Sequence, residues 1–132
     1  MSDIDIILTT IEQTGENGVD PTAATYERFF AASPESADLM SHMDDILRGK
    51  MLNAFIELVI MPDDETKKSA LHFEIKTHAD NGIKAVMYLH FFEAFYRTIE
   101  EALGAQWNDE YDGAWQREIS KLMGQIEADS SE

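Results

Sequence analysis

The amino-acid sequence predicts an all-α protein of seven to eight helices. Apolar residues recur at the spacing of one helix face along most of the chain. Prolines and glycines divide these stretches into segments of unequal length that are joined by short connections. No stretch of the sequence shows the sustained alternation of apolar and polar residues, bounded by hairpin turns, that indicates β-strands. Because the segments differ in length, they do not match an up-down bundle of four similar helices.

Three helices are expected in the first part of the chain. Asp3 is expected to cap the first of them. Asp20-Pro21 and Ser33-Pro34 each combine an N-cap residue with a proline in the first helical turn, so they mark the next two starts. The apolar stripe of the first helix consists of Ile4, Ile7, Leu8 and Ile11. The second helix places Tyr26, Phe29 and Phe30 on one side.

Two longer helices follow in the middle of the chain. Ser41 is expected to open the first, with Asp44 at the capping-box position, and Pro62 is expected to end it. Asp63 is expected to cap the second, and Gly82 to end it, because glycine adopts the left-handed conformation at low cost. The stripe of the first of these helices is Leu47, Met51, Ala54, Phe55 and Leu58.

The C-terminal part is expected to form two long amphipathic helices. The first runs from about Lys84 to Leu103 and ends at Gly104, and Asn108 caps the second. Their stripes are Met87, Phe91, Ala94, Phe95, Ile99 and Leu103 in the first helix, and Tyr111, Trp115, Ile119, Leu122 and Ile126 in the second. The final residues, about 128–132, are expected to be disordered.

Length and composition limit the classes of protein. The 132 residues fit a single domain that spans residues 1–132. With 26 acidic and 10 basic residues the formal net charge is −16, so we expect neither nucleic acid nor a membrane as a partner. The absence of cysteine excludes disulfides and thiolate chemistry. Since no apolar run approaches the ~18 residues of a membrane span and the start lacks the features of a signal peptide, the expected location is cytoplasmic.

The stretch from Leu71 to Tyr88 carries the candidate site. Leu71, Ile75 and His78 lie at i, i+4 and i+7, so they share one helix face and the histidine is expected to point toward the apolar interior. The plainest interpretation is a core histidine bonded to a backbone carbonyl. However, the sequence also predicts a large apolar pocket, lined by Tyr26, Phe29, Phe30, Met51, Phe91 and Phe95. A single inward histidine that faces such a pocket is what axial ligation of haem requires.

The remaining polar residues give no competing site. The four histidines stand at positions 42, 72, 78 and 90, so no two have the i, i+3 or i, i+4 spacing of a helical zinc site. The acidic pairs Asp44-Asp45 and Asp63-Asp64 lie at expected helix starts, where capping explains them. The sequence has no glycine-rich phosphate loop and no GxSxG turn. We therefore assign no catalytic residue.

Three segments carry a family resemblance: TYERFFAASPE, HADNGIKAVMY and EALGAQWNDEYDGAWQREI. In order and spacing, over roughly Pro21 to Met123, they resemble a bacterial single-domain globin, similar to the haemoglobin domain of flavohaemoglobins. The resemblance implies a globin-like fold with haem b as its iron-containing cofactor. It implies that His78 binds the iron through Nε2, while the protein holds its other ring nitrogen. Tyr88 matches the tyrosine that supports this proximal side.

On the opposite, distal side of the haem the resemblance implies four further residues. Tyr26 matches a tyrosine that donates a hydrogen bond to the bound gas, and Met51 matches the apolar residue over the haem face. Met40 stands where a phenylalanine usually packs on the haem, and a polarizable thioether can still do so. Leu47 stands where Gln or His is usual, and it offers no hydrogen bond.

The chain departs from the family pattern on the proximal side. Glu74 stands where the family prefers an apolar residue. The C-terminal glutamate that completes the proximal network of flavohaemoglobins has no match, because Ser130 falls at its spacing from Trp115. Three cationic partners for the haem propionates stay open: Arg48, Lys76 and Lys84.

The resemblance implies reversible binding of oxygen, nitric oxide or carbon monoxide rather than an enzymatic reaction. Two alternatives stay open. One is a globin-fold sensor or interaction module that has lost haem, which the changes at Met40, Leu47 and Glu74 motivate. The other is a nitric oxide dioxygenase or peroxidase-like enzyme that needs an external reductase. A homodimer stays open as well.

Overall fold

The computed structural model describes residues 2–130, and all regular secondary structure in this range is helical. The α-helices are α1 (Asp3–Glu16), α2 (Thr22–Ala32), α3 (Pro34–Leu39), α4 (Asp45–Val59), α5 (Glu65–Ala79), α6 (Ala85–Leu103) and α7 (Asp109–Ser130). A short 3₁₀ turn, Gly104–Gln106, follows α6. The prediction of an all-α fold with seven to eight helices is confirmed. Of the segment 128–132, residues 128–130 continue α7, and residues 131–132 lie outside the described range.

Several helix starts differ from the prediction, and those of α1 and α4 show why. The N-cap of α1 is Ser2 rather than Asp3, and its side chain accepts a hydrogen bond from the backbone N–H of Asp5. Helix α4 does not begin at Ser41. It begins after Asp44, whose side chain accepts from the N–H of Leu47. The actual cap lies one residue before the predicted one in α1 and three residues after it in α4. Ser and Asp side chains can all accept the capping hydrogen bond, so neighbouring residues compete for this position.

The chain breaks at asparagine and glycine follow the prediction, whereas α2 begins one residue later than expected, with Pro21 rather than Asp20 as its N-cap. Asp20 Oδ1 accepts from the N–H of Thr22 at the start of α2, and Asn108 Oδ1 accepts from the N–H of Tyr111 at the start of α7. Gly82 has φ +84° and Gly104 has φ +53°. These positive φ values explain why glycine ends α5 and α6 at these two points.

The core is built around α6, which packs against α1, α2 and α7. Phe95 and Ile99 of α6 are completely buried, and the ring of Phe95 meets the ring of Trp115 edge-on at 5.6 Å between centroids. The Nε1–H of Trp115 donates to Thr10 Oγ1 at 3.0 Å, so the indole also ties α7 to α1. None of the helices in residues 2–130 combines the length and apolarity needed to cross a bilayer.

A buried ion pair joins α5 to α7. The start of α5 is also one residue later than predicted, because Asp64 rather than Asp63 caps it. Asp63 is then free to lie 3.3 Å from Lys67 Nζ. The same ammonium donates to Glu118 Oε1 and to the carbonyl of Val59, each at 2.9 Å. The side chains of Lys67 and Glu118 are only 4% and 1% exposed.

We expect Lys67→Met to lower the free energy of unfolding by about 3 kcal/mol, because it leaves the buried carboxylate of Glu118 without its main partner. Lys68→Met is a matched control, since the Lys68 side chain is 67% exposed and its pairing with Glu65 is 3.5 Å long. The control should change stability by less than about 0.5 kcal/mol. Urea denaturation of both variants measures the difference, and equal effects would contradict the prediction.

Candidate functional site

His78 lies in the last turn of α5, at the edge of the apolar stripe rather than inside it. Leu71 and Ile75 are 1% and 2% exposed, whereas the side chain of His78 is 35% exposed. His78 is more exposed than Leu71 and Ile75 because it is the last residue of the stripe before the turn at Gly82. The structure thus keeps the predicted face but places the imidazole at its rim.

The imidazole of His78 is held through Nδ1. This atom lies 2.8 Å from the backbone carbonyl oxygen of Glu74, one turn earlier in α5. The Glu74 carboxylate oxygen Oε2 lies 3.4 Å from the same Nδ1. Among residues 2–130, Nε2 has no hydrogen-bond partner. A ring bonded as Nδ1–H presents an unshared electron pair at Nε2, which is the arrangement of a histidine that binds a metal.

Tyr88 stands beside His78 at the start of α6. The two rings meet edge-on, with 6.3 Å between their centroids. The hydroxyl oxygen of Tyr88 is buried and has no hydrogen-bond partner within the described part of the chain. Burial raises the pKa of Tyr88 to about 12, and the negative charge of Glu74 adds to the shift. A buried, unpaired hydroxyl is unusual in a native structure, and it often marks a functional position.

A continuous series of ring contacts leads from Tyr88 to Tyr26. Tyr88 contacts Phe92, Phe92 stacks on Phe55 at 5.1 Å, Phe55 contacts Phe91 at 5.0 Å, and Phe91 meets Tyr26 edge-on at 5.6 Å. These rings, together with Phe29 and Phe30 beside Tyr26, form one aromatic cluster. The cluster contains both predicted tyrosines. The pocket prediction omitted Phe55 and Phe92. Phe55 was on the predicted stripe of its helix, and that position could have indicated its role.

The hydroxyl group of Tyr26 already has a partner. It donates to the backbone carbonyl of Arg48 in α4 at 3.0 Å. The guanidinium of Arg48 lies over the rings of Phe30 and Tyr26, at 4.9 and 5.8 Å from their centroids. Burial raises the pKa of Tyr26 to about 12, although the charge of Arg48 acts in the opposite direction. The phenol therefore stays protonated and remains a hydrogen-bond donor at neutral pH.

The other three predicted distal residues differ in burial. Met40 is buried, at the C-terminal end of α3. Met51 is half-buried against the core, and Leu47 is 42% exposed. Helix α4 as a whole buries only Leu52 and Val59, although it also carries other large apolar residues. An apolar helix face that is incompletely covered is typical of a surface that contacts a ligand or a partner.

The three cationic residues left open by the sequence are not equivalent. Lys84 Nζ lies 3.0 Å from a carboxylate oxygen of Glu35, and Lys76 donates to the carbonyl of Asp129 at 3.0 Å. Arg48 has a buried Nε atom with no hydrogen-bond partner in the described residues. Arg48 is also the one of the three that contacts the aromatic cluster, through Tyr26 and Phe30.

The residues around this cluster fit a haem. His78 offers one free ring nitrogen for the iron, and α4 and the aromatic cluster offer apolar surface for the porphyrin. Arg48 offers a guanidinium beside the cluster for a propionate; one of its nitrogens donates to the carbonyl of Met40 at 3.3 Å, and its Nε has no partner among the described residues. Within residues 2–130 no group of three or more His, Asp or Glu side chains is arranged to hold a bare metal ion.

The sequence also matches a known protein family. A family model described as Globin matches residues 22–126. The matched range contains α2 to α6 and most of α7, and therefore both tyrosines and His78.

Replacement of Tyr26 and of Tyr88 by phenylalanine should affect the stability of the haem-free protein differently. Tyr26→Phe should lower the free energy of unfolding by about 1 kcal/mol, because it removes the hydrogen bond to the Arg48 carbonyl. Tyr88→Phe should leave it unchanged or raise it by up to about 1 kcal/mol, because it removes a buried hydroxyl that has no partner. Denaturant titration of the two variants measures the difference. A larger loss in Tyr88→Phe than in Tyr26→Phe would contradict the described hydrogen bonding.

Proposed function

The chain belongs to the globin family, since the family model matches most of its length, and we propose that it binds haem b through His78 and reversibly binds a diatomic gas. The observation that carries the proposal is the state of the His78 imidazole. Its Nδ1 is held by the Glu74 carbonyl, which leaves Nε2 without a partner among the described residues, on a ring that meets Tyr88 edge-on. When bound, haem iron supplies a coordination position for oxygen, nitric oxide or carbon monoxide.

Other residues would exclude water, bind a propionate and pack against the haem. The aromatic cluster and the half-covered face of α4 exclude water from the haem faces, because their surfaces are apolar. Arg48 pairs with a propionate through its guanidinium, which is already close to the cluster. Met40 and Met51 pack against the distal face.

Tyr26 is the proposed hydrogen-bond donor to the gas. The Tyr26 phenol stays protonated, because its pKa is raised to about 12. None of the other distal side chains, Met40, Leu47 and Met51, has a hydrogen-bond donor. To reach the gas, the hydroxyl must give up its bond to the carbonyl of Arg48. The gain in gas affinity is therefore the difference between two hydrogen bonds rather than the whole of one.

We further propose that the chain is of the bacterial single-domain type, similar to the haemoglobin domain of flavohaemoglobins. The combination of Tyr26, His78, the glycine turn at Gly82 and Tyr88 ten residues after the histidine supports this type. Gas binding rather than catalysis is the proposed role.

The first test is replacement of the proposed iron ligand. His78→Gly should lose the ferrous absorption spectrum of a histidine-ligated haem, and added imidazole should restore it by occupying the space of the missing ring. His72→Gly is a matched control on the same helix. The His72 side chain is 46% exposed and pairs with Asp129, so its loss should leave the spectrum unchanged.

Spectra of the ferric, ferrous and carbon monoxide forms decide between the possibilities. A wild-type protein that takes up no haem would favour the haem-free sensor or interaction module. A wild-type spectrum in His78→Gly without imidazole would show that another residue binds the iron.

The second test concerns Tyr26. Tyr26→Phe should release oxygen about five-fold faster, because a net loss of roughly 1 kcal/mol corresponds to that factor. Carbon monoxide release should change less, since bound carbon monoxide is less polar and gains less from a donor. Tyr111→Phe is the control, because Tyr111 lies at the start of α7 and its hydroxyl accepts from Gln13. Stopped-flow oxygen release measures the effect, and equal rates in wild type and Tyr26→Phe would exclude this tyrosine as the main donor.

A further inference from the structure

Glu74 presents two oxygen atoms to one ring nitrogen of His78. Its backbone carbonyl oxygen lies 2.8 Å from Nδ1, and its carboxylate oxygen Oε2 lies 3.4 Å from the same atom. The spacing of four residues within α5 makes this double contact possible, because residues i and i+4 lie one above the other on a helix face. The carbonyl is neutral, whereas the carboxylate adds a negative charge beside the imidazole.

This charge changes what the imidazole can do. The Nδ1–H donates to the Glu74 backbone carbonyl, and this bond fixes the tautomer. The carboxylate oxygen 3.4 Å from Nδ1 adds a negative charge, which makes the ligating nitrogen more basic. A more basic nitrogen donates more electron density, and this favours the ferric over the ferrous state of a bound iron. Tyr88 closes the other side of the ring edge-on, with 6.3 Å between centroids. The imidazole is therefore constrained by packing on one side and by Glu74 on the other.

Building on the proposed function, we propose that the Glu74 carboxylate is a positioning residue that tunes the electron donation of His78 to haem iron. The side chain of Glu74 is 47% exposed, so water screens part of its charge. We therefore expect an effect at the lower end of the range that partners of metal-bound histidines show, about tenfold.

The test compares haem-loaded wild type with Glu74→Leu and Glu74→Gln. Leucine removes the charge and the polar group, whereas glutamine removes the charge and keeps a polar oxygen, and both keep the backbone carbonyl that accepts from Nδ1. Both should shift the ferric–ferrous equilibrium about tenfold toward ferrous iron, which is about 59 mV for a one-electron couple. Both should also lower the iron–histidine stretching frequency in resonance Raman spectra of the ferrous protein, with the larger drop in leucine.

Asp80→Asn is the matched control. It removes one negative charge two residues from His78, and the contact of Asp80 with His78 is a backbone hydrogen bond to the carbonyl. The control should shift the potential by less than half as much as Glu74→Gln and leave the stretching frequency unchanged.

Three results would overturn the proposal. The first is a wild-type potential and stretching frequency in both Glu74 variants, which leaves the proposed function intact. The second is an equal shift in Asp80→Asn, which would show a general charge effect. The third is a wild-type protein with no iron–histidine stretching band, which would overturn the proposed function as well and is seen before any variant is made.

Discussion

Burial of α6 is the constraint on which the rest of the structure depends. The helix packs against α1, α2 and α7, and Phe95 and Ile99 at its centre are fully enclosed. The ring of Trp115 packs against Phe95 of this helix and donates a hydrogen bond to Thr10 of α1. The N-terminal half of α6 carries Tyr88 and the phenylalanines of the aromatic cluster. One long apolar helix therefore both closes the core and places the rings of the candidate site, because the two halves share one rigid axis.

Helix α5 is held by different forces. It buries only Lys67, Leu71 and Ile75, so apolar packing alone gives it little support. At its beginning the buried pair of Lys67 and Glu118 ties it to α7. At its end the carbonyl of His78 accepts from the N–H groups of residues 81 and 83, in the turn that Gly82 permits. Polar contacts at both ends thus determine where His78 lies.

The sequence predicted what depends on local chemistry and missed what depends on long-range contacts. Helical periodicity, proline and glycine gave the all-α fold and the turn at Gly82, because these signals act within a few residues. The caps at Asp44 and Asp64 were misplaced, since adjacent Ser and Asp residues all fit the role. The pairing of Lys67 with Glu118 could not be predicted, because 51 residues separate them. The roles of His78, Tyr26 and Tyr88 came from family resemblance, and the structure adds the contacts that these residues make.

The contacts of Tyr26 show how such a site can adjust affinity without new residues. The phenol donates to the carbonyl of Arg48, and in the proposed function a bound gas is a second acceptor. A single O–H can serve one of them at a time. Any change that strengthens the bond to the carbonyl weakens gas binding by the same free energy, because the two states share one donor. Arg48 lies over the Tyr26 ring and supplies that carbonyl. If a haem propionate pairs with the Arg48 guanidinium as proposed, it acts on the same segment of α4 that holds the Tyr26 hydroxyl. Haem occupancy and gas affinity would then be linked through Arg48.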